Sequence, residues 1–119
     1  MTNLKDETLK ILAKHGHTAD DVVWVGTLEF AIDKELFWRL ADRLYDDGFG
    51  GQEVARDLLV VGESWWLERH SYGGAEWWEY KIMPAMPDAM KPVERVIRDA
   101  DHWWLSLYGM NQDDWHYCE

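Results

Sequence analysis

The sequence predicts an α+β fold: a single domain in which a mostly antiparallel sheet of about four strands is covered on one face by three helices. Two observations support this prediction. Residues 58–83 hold three short runs of branched and aromatic side chains broken by glycine, a pattern typical of consecutive antiparallel strands. Elsewhere, three segments repeat apolar residues at helical spacing. The length of 119 residues suits one domain with one hydrophobic core.

Two of the predicted helices lie in the first half of the chain. Residues 3–15 form the first, because Asn3 is a good N-cap and Gly16 is a residue type that commonly ends a helix. Residues 34–46 form the second, with Asp33 as the N-cap and an apolar stripe at helical spacing. Each helix therefore has one apolar side that can cover a sheet.

The third predicted helix covers residues 93–108. Pro92 suits its first turn, where a missing N–H costs nothing. The preceding residues 84–92 contain all three prolines of the chain and are predicted to form a stiff linker. Residues 109–119 form a tail after this helix.

The first predicted strand covers residues 22–32, and the other three strands form a meander. Alternation along the first strand places Val22 and Trp24 on one face, with Val23 and Val25 on the other. The meander strands are predicted over residues 58–61, 65–72 and 76–83.

The hairpin between the last two strands has two candidate registers. A two-residue loop at residues 73–74, both glycine, sets Glu68 opposite Glu79, a like-charge pair that costs stability. A three-residue loop at residues 73–75 sets Arg69 opposite Glu79 instead. We favour the second register because its cross-strand charges attract. A slip of one residue inverts which side chains face inward, so this choice decides which indoles are exposed.

Four of the nine tryptophans lie in this hairpin as two adjacent pairs. Neighbouring residues of a strand point to opposite faces, so we expect one indole of each pair at the surface, unless the rings of the tail cover it as core. The alternative register would keep Trp65 exposed and exchange Trp77 for Trp78. In the favoured register the predicted partner-binding residues are Trp65, Trp77, Arg69 and Glu79. A second candidate surface, at the edge of the second helix, comprises Trp38, Asp42 and Tyr45.

The charge balance narrows the classes of partner. Asp and Glu total 23 against 12 Lys and Arg, giving a formal net charge of −11. Such a surface repels nucleic acid and anionic membranes and attracts basic protein surfaces. The single cysteine, Cys118, excludes an internal disulfide and favours a reducing compartment. With no recognisable leader or membrane-spanning run, we expect a cytoplasmic protein that contacts neither membrane nor nucleic acid directly.

No motif in the sequence indicates a catalytic centre. A nucleophile motif, a Cys-x-x-Cys pair and a phosphate-binding loop are all lacking. His15 and His17 have a spacing that can ligate a metal, and His116 and Cys118 could join them if the termini meet, but an ordinary polar loop is the better interpretation. We therefore predict no catalytic residue, metal or cofactor.

The segment from Val22 to Met83 resembles a family of small acidic proteins from prophages and mobile elements of Firmicutes. The most distinctive part is the order GFGGQEVA, DLLVVG and WWLER within residues 48–69. Proteins of this size from such elements include anti-CRISPR and anti-restriction inhibitors. The resemblance therefore implies a non-enzymatic protein that binds and inhibits a basic, nucleic-acid-handling host defence protein, such as a Cas effector or a restriction nuclease. A carbohydrate or small-ligand module using exposed tryptophans is the alternative, and a metal-dependent enzyme ranks third.

Overall fold

The structure is a computed structural model that describes residues 1–48, 50–98 and 105–112. Contacts group the chain into two compact units, Met1–Pro84 and Ala85–Glu119. The first unit contains both sheets and the two longer helices, and the described residues of the second contain one short helix. The mixture of helices with antiparallel sheets confirms the predicted α+β class.

The elements are numbered in chain order. The first unit contains β1 (Thr2–Asn3), α1 (Leu4–Lys14), a short 3-10 helix (Ala19–Asp21), β2 (Trp24–Gly26), β3 (Ala31–Ile32), α2 (Lys34–Ala41), β4 (Leu44–Tyr45), β5 (Leu59–Val61), β6 (Trp65–Tyr72) and β7 (Ala75–Ile82). The second unit contains α3 (Leu107–Met110). The main sheet has the strand order β3-β2-β5-β6-β7, and each of its neighbouring pairs is antiparallel. A two-stranded sheet pairs β1 with β4.

The main sheet has five strands because the predicted strand over residues 22–32 is a hairpin of two. The chain reverses at residues 27–30, where the Thr27 N–H donates to the Phe30 carbonyl oxygen at 2.9 Å. Gly26 permits this turn, since a Cβ atom there would lie 2.3 Å from the same carbonyl oxygen. The predicted faces also differ. Val22 and Val25 are both buried although alternation placed them on opposite faces, because regular pairing with β5 begins only at Trp24.

The helix starts were predicted well and the ends less so. Asn3 caps α1 by accepting the Asp6 N–H at 3.0 Å, and Asp33 caps α2 by accepting the Leu36 N–H at 2.9 Å. The second helix stops at Ala41 rather than at residue 46, because the chain then forms β4 and pairs with β1.

The third predicted helix, over residues 93–108, is wrong for its described first part. Residues 93–98 are not helical, and residues 99–104 lie outside the described parts of the chain. An amphipathic pattern forms a helix when its apolar side is buried. Here Val96 is 72% and Ile97 is 78% exposed, and the N–H groups of Glu94 and Arg95 donate to Asn111 instead.

The core of the first unit lies between the two longer helices and one face of the main sheet. Both helices contact the sheet, α1 at β7 and α2 at β2. The buried residues of this core are Leu12, Val22, Val25, Phe37, Ala41, Val60, Trp65, Leu67 and Trp78.

The β6–β7 hairpin has the register that the sequence analysis did not favour. Gly73 and Gly74 form a two-residue turn with φ of 61° and 91°, values that a side chain would resist. This turn sets Glu68 opposite Glu79 and Arg69 opposite Trp78. The favoured pairing of Arg69 with Glu79 is therefore wrong, because two consecutive glycines satisfy a type I′ turn without any third residue.

Candidate functional site

The second face of the main sheet, which we call the open face, is the candidate site. Its side chains alternate with the buried ones along β2, β5, β6 and β7, and they are partly exposed. Trp77 is 36% exposed, which makes it the most accessible of the three indoles here. The open face consists of Trp24, Leu59, Val61, Trp66, Glu68, His70, Trp77, Glu79 and Lys81.

Glu68 is held in its ionised form by two neighbours on its own strand. The Trp66 indole N–H donates to Glu68 Oε1 at 2.7 Å, and His70 Nε2 lies 2.7 Å from Glu68 Oε2. Both residues are two positions away in sequence and therefore on the same face. The hydrogen bond from Trp66, followed by the contact with His70, lowers the pKa of Glu68 below its usual value.

Glu79 has an equivalent arrangement on β7. The Trp77 indole N–H donates to Glu79 Oε2 at 3.3 Å, and Lys81 Nζ lies 3.9 Å from Glu79 Oε1. Each strand thus carries the order tryptophan, glutamate, basic residue on the open face. The strands are antiparallel, so the two glutamates are opposite each other and each tryptophan is opposite the other strand's basic residue.

This pairing explains how the sheet accommodates two adjacent carboxylates. Like charges directly opposite each other on a sheet are destabilising. Here, each carboxylate receives an indole N–H and has a basic group beside it, so the repulsion is offset by donors from its own strand. The result is a pair of oriented carboxylates between indoles on one face of the sheet.

Replacing Trp66 with phenylalanine should raise the pKa of Glu68 toward its usual value, because the carboxylate loses its strongest donor. A ¹³C NMR titration of the side-chain carboxyl measures this directly. A lowered pKa in the folded state contributes stability above the pKa of the unfolded chain, and this contribution is lost as the pH falls through the folded value. The variant should therefore lose less stability on acidification than the parent.

Trp24→Phe is the matched control for this titration, because Trp24 shares the open face but has no bond to Glu68. It should leave the Glu68 titration unchanged. An unchanged pKa of Glu68 in Trp66→Phe would show that the indole N–H does not hold this carboxylate.

Two of the four residues predicted for the first surface are buried. Trp65 and Arg69 are 5% and 6% exposed, so their predicted exposure is wrong. In the two-residue register they share a face with Leu67 and Trp78, and this is the face that the helices cover. Trp77 and Glu79 lie on the open face, where the favoured register also placed them outward. Their role in binding a partner stays a prediction.

Arg69 is the centre of a buried polar network instead. Its Nη2 donates to Glu76 Oε1 at 2.7 Å and to the Tyr45 hydroxyl at 3.1 Å, while Nη1 lies 3.4 Å from Glu7 Oε2. Its guanidinium carbon also lies 4.8 Å from the centre of the Trp78 ring. Burial alone would lower the pKa of Arg69, but its bonds to Glu76 and Tyr45 outweigh burial and raise it. This arginine is therefore a structural cation inside the fold.

The second predicted surface is divided by the fold. Tyr45 is 8% exposed, and burial followed by its hydrogen bond to Glu7 raises the pKa of its hydroxyl. Trp38 is half-buried with its ring packed edge-on against Phe37, and Asp42 is exposed and accepts the Asn3 side-chain N–H at 2.9 Å. Tyr45 therefore does not share an exposed patch with the other two.

The two histidines that follow α1 pack on aromatic rings of β6 and β7. His15 stacks on Tyr80 with ring centres 3.8 Å apart, and His17 stacks on Trp65 at 4.3 Å. Within the described parts of the chain, no group of three or more His, Cys, Asp or Glu side chains could hold a metal ion. The suggested contribution of His116 and Cys118 to a zinc site lies outside the described residues.

Trp77 and Glu79 of the open face were among the predicted partner-binding residues, whereas Trp24, Trp66, Glu68 and His70 were not. A usable signal was present, since Trp66-x-Glu68-x-His70 and Trp77-x-Glu79-x-Lys81 repeat one pattern at strand spacing. The two repeats lie on one face only when the turn has two residues, so their match favours that register. The predicted register did not use this signal, because it was chosen from a single cross-strand charge pair.

Comparisons with known proteins identify no relative of this chain. No protein-family model matches the chain, and no curated protein and no solved structure shows significant similarity to it. Among the helices that the structure describes, none is long and apolar enough to cross a membrane.

Proposed function

We propose that this chain is a non-enzymatic binding protein that uses the open face to inhibit a basic, nucleic-acid-handling host defence protein, of the anti-CRISPR or anti-restriction type. The observation that carries the proposal is the pair of oriented carboxylates, Glu68 and Glu79, between indoles on a sheet face of a chain with net charge −11. Tryptophan is one of the residue types that dominate the energy of protein interfaces.

The charge of the chain supports this choice of partner. A protein groove that binds duplex DNA is built to meet about one negative charge per 1.7 Å of helix axis. Carboxylates held in place by their own strand neighbours can compete for such a groove without first being ordered. The excess negative charge of the whole chain would also accelerate the encounter with a basic partner at low ionic strength. An inhibitor of this kind needs no catalytic residue.

The proposal is tested with a panel of Cas effectors and restriction nucleases assayed for DNA cleavage and for complex formation with the purified chain. We expect at least one member to be inhibited and bound. Glu68→Gln/Glu79→Gln should weaken that binding about 10- to 100-fold, the effect of roughly 1.5–3 kcal/mol for removing charged hydrogen-bond partners.

Glu29→Gln/Glu63→Gln is the matched control for the panel, because it removes the same charge from two exposed sites in turns of the sheet. It should retain binding to within a few-fold, as expected for screened surface charges. Equal losses in both double variants would mean that net charge alone, and not the open face, is responsible. The absence of any complex across the panel would count against the proposed function.

A carbohydrate-binding module is the second candidate, and the exposure of Trp77 beside Glu79 and His70 favours it. A ring that presents apolar area next to hydrogen-bonding groups also suits a polyol. Titration of tryptophan fluorescence with a glycan library distinguishes the two functions. A saturable shift that disappears in Trp77→Ala would support the module, whereas a protein inhibitor should show none.

A further inference from the structure

Strand β7 is the last strand of the main sheet, and half of its backbone groups point away from the sheet. The two-residue turn makes Tyr72 and Ala75 a hydrogen-bonded pair, and every second pair along the hairpin is bonded in the same way. The bond from the Met83 N–H to the Ser64 carbonyl oxygen, at 2.7 Å, fits this series. The N–H and C=O groups of alternate residues therefore face outward. These residues are Glu76, Trp78, Tyr80 and Ile82.

Charged side chains, proline and bulges usually protect an edge strand, and of these β7 has only the charged side chains Glu76, Glu79 and Lys81. The Glu76 N–H donates to the Asp47 carbonyl oxygen at 2.9 Å, which closes the turn end of the strand. Within the described parts of the chain, the outward groups of Trp78, Tyr80 and Ile82 have no hydrogen-bond partner. The strand has eight residues without proline or bulge, and long regular edges of this kind readily accept another strand.

A groove runs beside this edge. It has a volume of about 270 Å³ and is lined by Glu7, Lys10, Ile11 and Lys14 of α1 and by Trp77 and Trp78 of β7. Trp77 and Trp78 point to opposite faces of the sheet, so a groove lined by both lies along the outer edge of the strand. Its walls are chiefly the indoles, Ile11 and the lysine stems, which suit apolar side chains.

We propose that the edge of β7 binds an extended segment of a partner protein, which adds to the main sheet as a sixth strand. The segment alternates apolar and basic side chains. Its apolar residues enter the groove beside α1, where Lys10 and Lys14 exclude further positive charge. Its basic residues fall on the open face beside Trp77 and Glu79. The choice of a basic partner rests on the proposed function. The observation that the outer edge of β7 is unpaired among the described residues does not depend on that function.

Main-chain hydrogen bonds would supply affinity in this arrangement and the alternating side chains would supply specificity. The outward side of the strand offers the N–H and C=O groups of Tyr80 and Ile82, which are more exposed than the buried Trp78, to the incoming backbone. Among the described residues the basic group beside Glu79 is Lys81, whose Nζ is 3.9 Å away, so an arginine of the partner can approach Glu79 Oε1 more closely.

The test uses the whole chain, labelled with ¹⁵N, and a nine-residue peptide that alternates arginine and valine. We expect the peptide to bind and to slow hydrogen exchange of the Tyr80 and Ile82 amides at least tenfold. The amides of Trp77, Glu79 and Lys81 already bond to β6 and should be protected with and without peptide. A peptide effect that appears only at every second amide of β7 is specific to pairing at the outer edge of the strand.

A variant at the exposed end of the strand provides the second measurement. Ile82 is 62% exposed and its N–H points outward, so Ile82→Pro keeps the bonds to β6 while removing an edge donor. We expect it to weaken binding of the peptide about tenfold, because one hydrogen bond is lost and the proline ring blocks the approach of the peptide backbone. Ile82→Ala is the control and should bind the peptide as the parent chain does.

Three results would overturn the inference: no binding of the peptide, binding without protection of the outward amides, or outward amides that are already protected in the free chain. In the last case, dependence on protein concentration would identify a second copy at the edge, and independence a segment of the same chain. Failure of the proposed function is a separate outcome. A nuclease complex that leaves the outward amides exposed removes the edge proposal alone, whereas peptide pairing without any nuclease complex removes the inhibitor proposal alone.

Discussion

Replacing Arg69 with methionine should lower the free energy of unfolding by about 3–5 kcal/mol, because it leaves buried carboxylates without their cation. The Glu76 side chain is 1% exposed and that of Glu7 is 18% exposed, so water cannot take the place of the guanidinium at Glu76. The two backbone N–H groups that Glu76 accepts, from Glu53 and Val54, would remain as its only donors among the described residues. Urea unfolding followed by tryptophan fluorescence measures the loss.

Arg39→Met is the control for this substitution, since Arg39 is exposed on α2 and should change the stability by no more than about 0.5 kcal/mol. The double variant Arg69→Met/Glu76→Gln should recover part of the loss, because it removes the uncompensated charge as well. If Arg69→Met unfolded like the parent chain but lost its partner, Arg69 would be a surface residue, as the sequence first suggested.

Trp78→Ala should destabilise the fold by about 3–5 kcal/mol, whereas Trp77→Ala should cost about 1 kcal/mol or less. The two residues are adjacent, but Trp78 is 4% exposed and donates to the Thr8 hydroxyl at 2.9 Å. Trp77 lies on the open face, so its loss should weaken partner binding with little change in melting temperature. Thermal unfolding by circular dichroism, combined with a binding assay, separates these effects.

Adjacent substitutions with opposite outcomes are a stringent test of the hairpin register. A slip of one residue would exchange the faces of the two indoles and therefore the two results. Equal destabilisation by both variants would mean that the open face is covered and is not available to a partner.

The sequence predicted those parts of the fold that depend on local patterns. Strands β6 and β7 were placed to within a residue from their branched and aromatic runs and the glycines between them. The caps Asn3 and Asp33 were recognised because an N-cap satisfies N–H groups only a few residues away. The end of α2 was missed because it is set by pairing with β1, which lies about forty residues earlier.

The candidate site was predicted only in part because the predicted hairpin register was wrong. The physical reason is again that contacts with residues distant in sequence decide the structure. Arg69 was assigned to Glu79 because that pair is favourable within the hairpin alone. In the fold, Arg69 finds its carboxylates on α1 and at the start of β7, and the two opposed glutamates are compensated by indoles and basic groups on their own strands. A rule for cross-strand pairs cannot weigh partners that other elements supply, so it favours the wrong turn.

The buried network around Arg69 also constrains how the first unit folds during synthesis. Its members come from α1, β4, β6 and β7, and Glu7 and Arg69 are 62 positions apart in the sequence. The first helix therefore leaves the ribosome long before β6 and β7, which supply Trp65, Leu67 and Trp78 to the core that Leu12 enters. A truncated chain that ends before residue 76 should expose this helix to chaperones, and folding of the unit should be completed as one late, cooperative step.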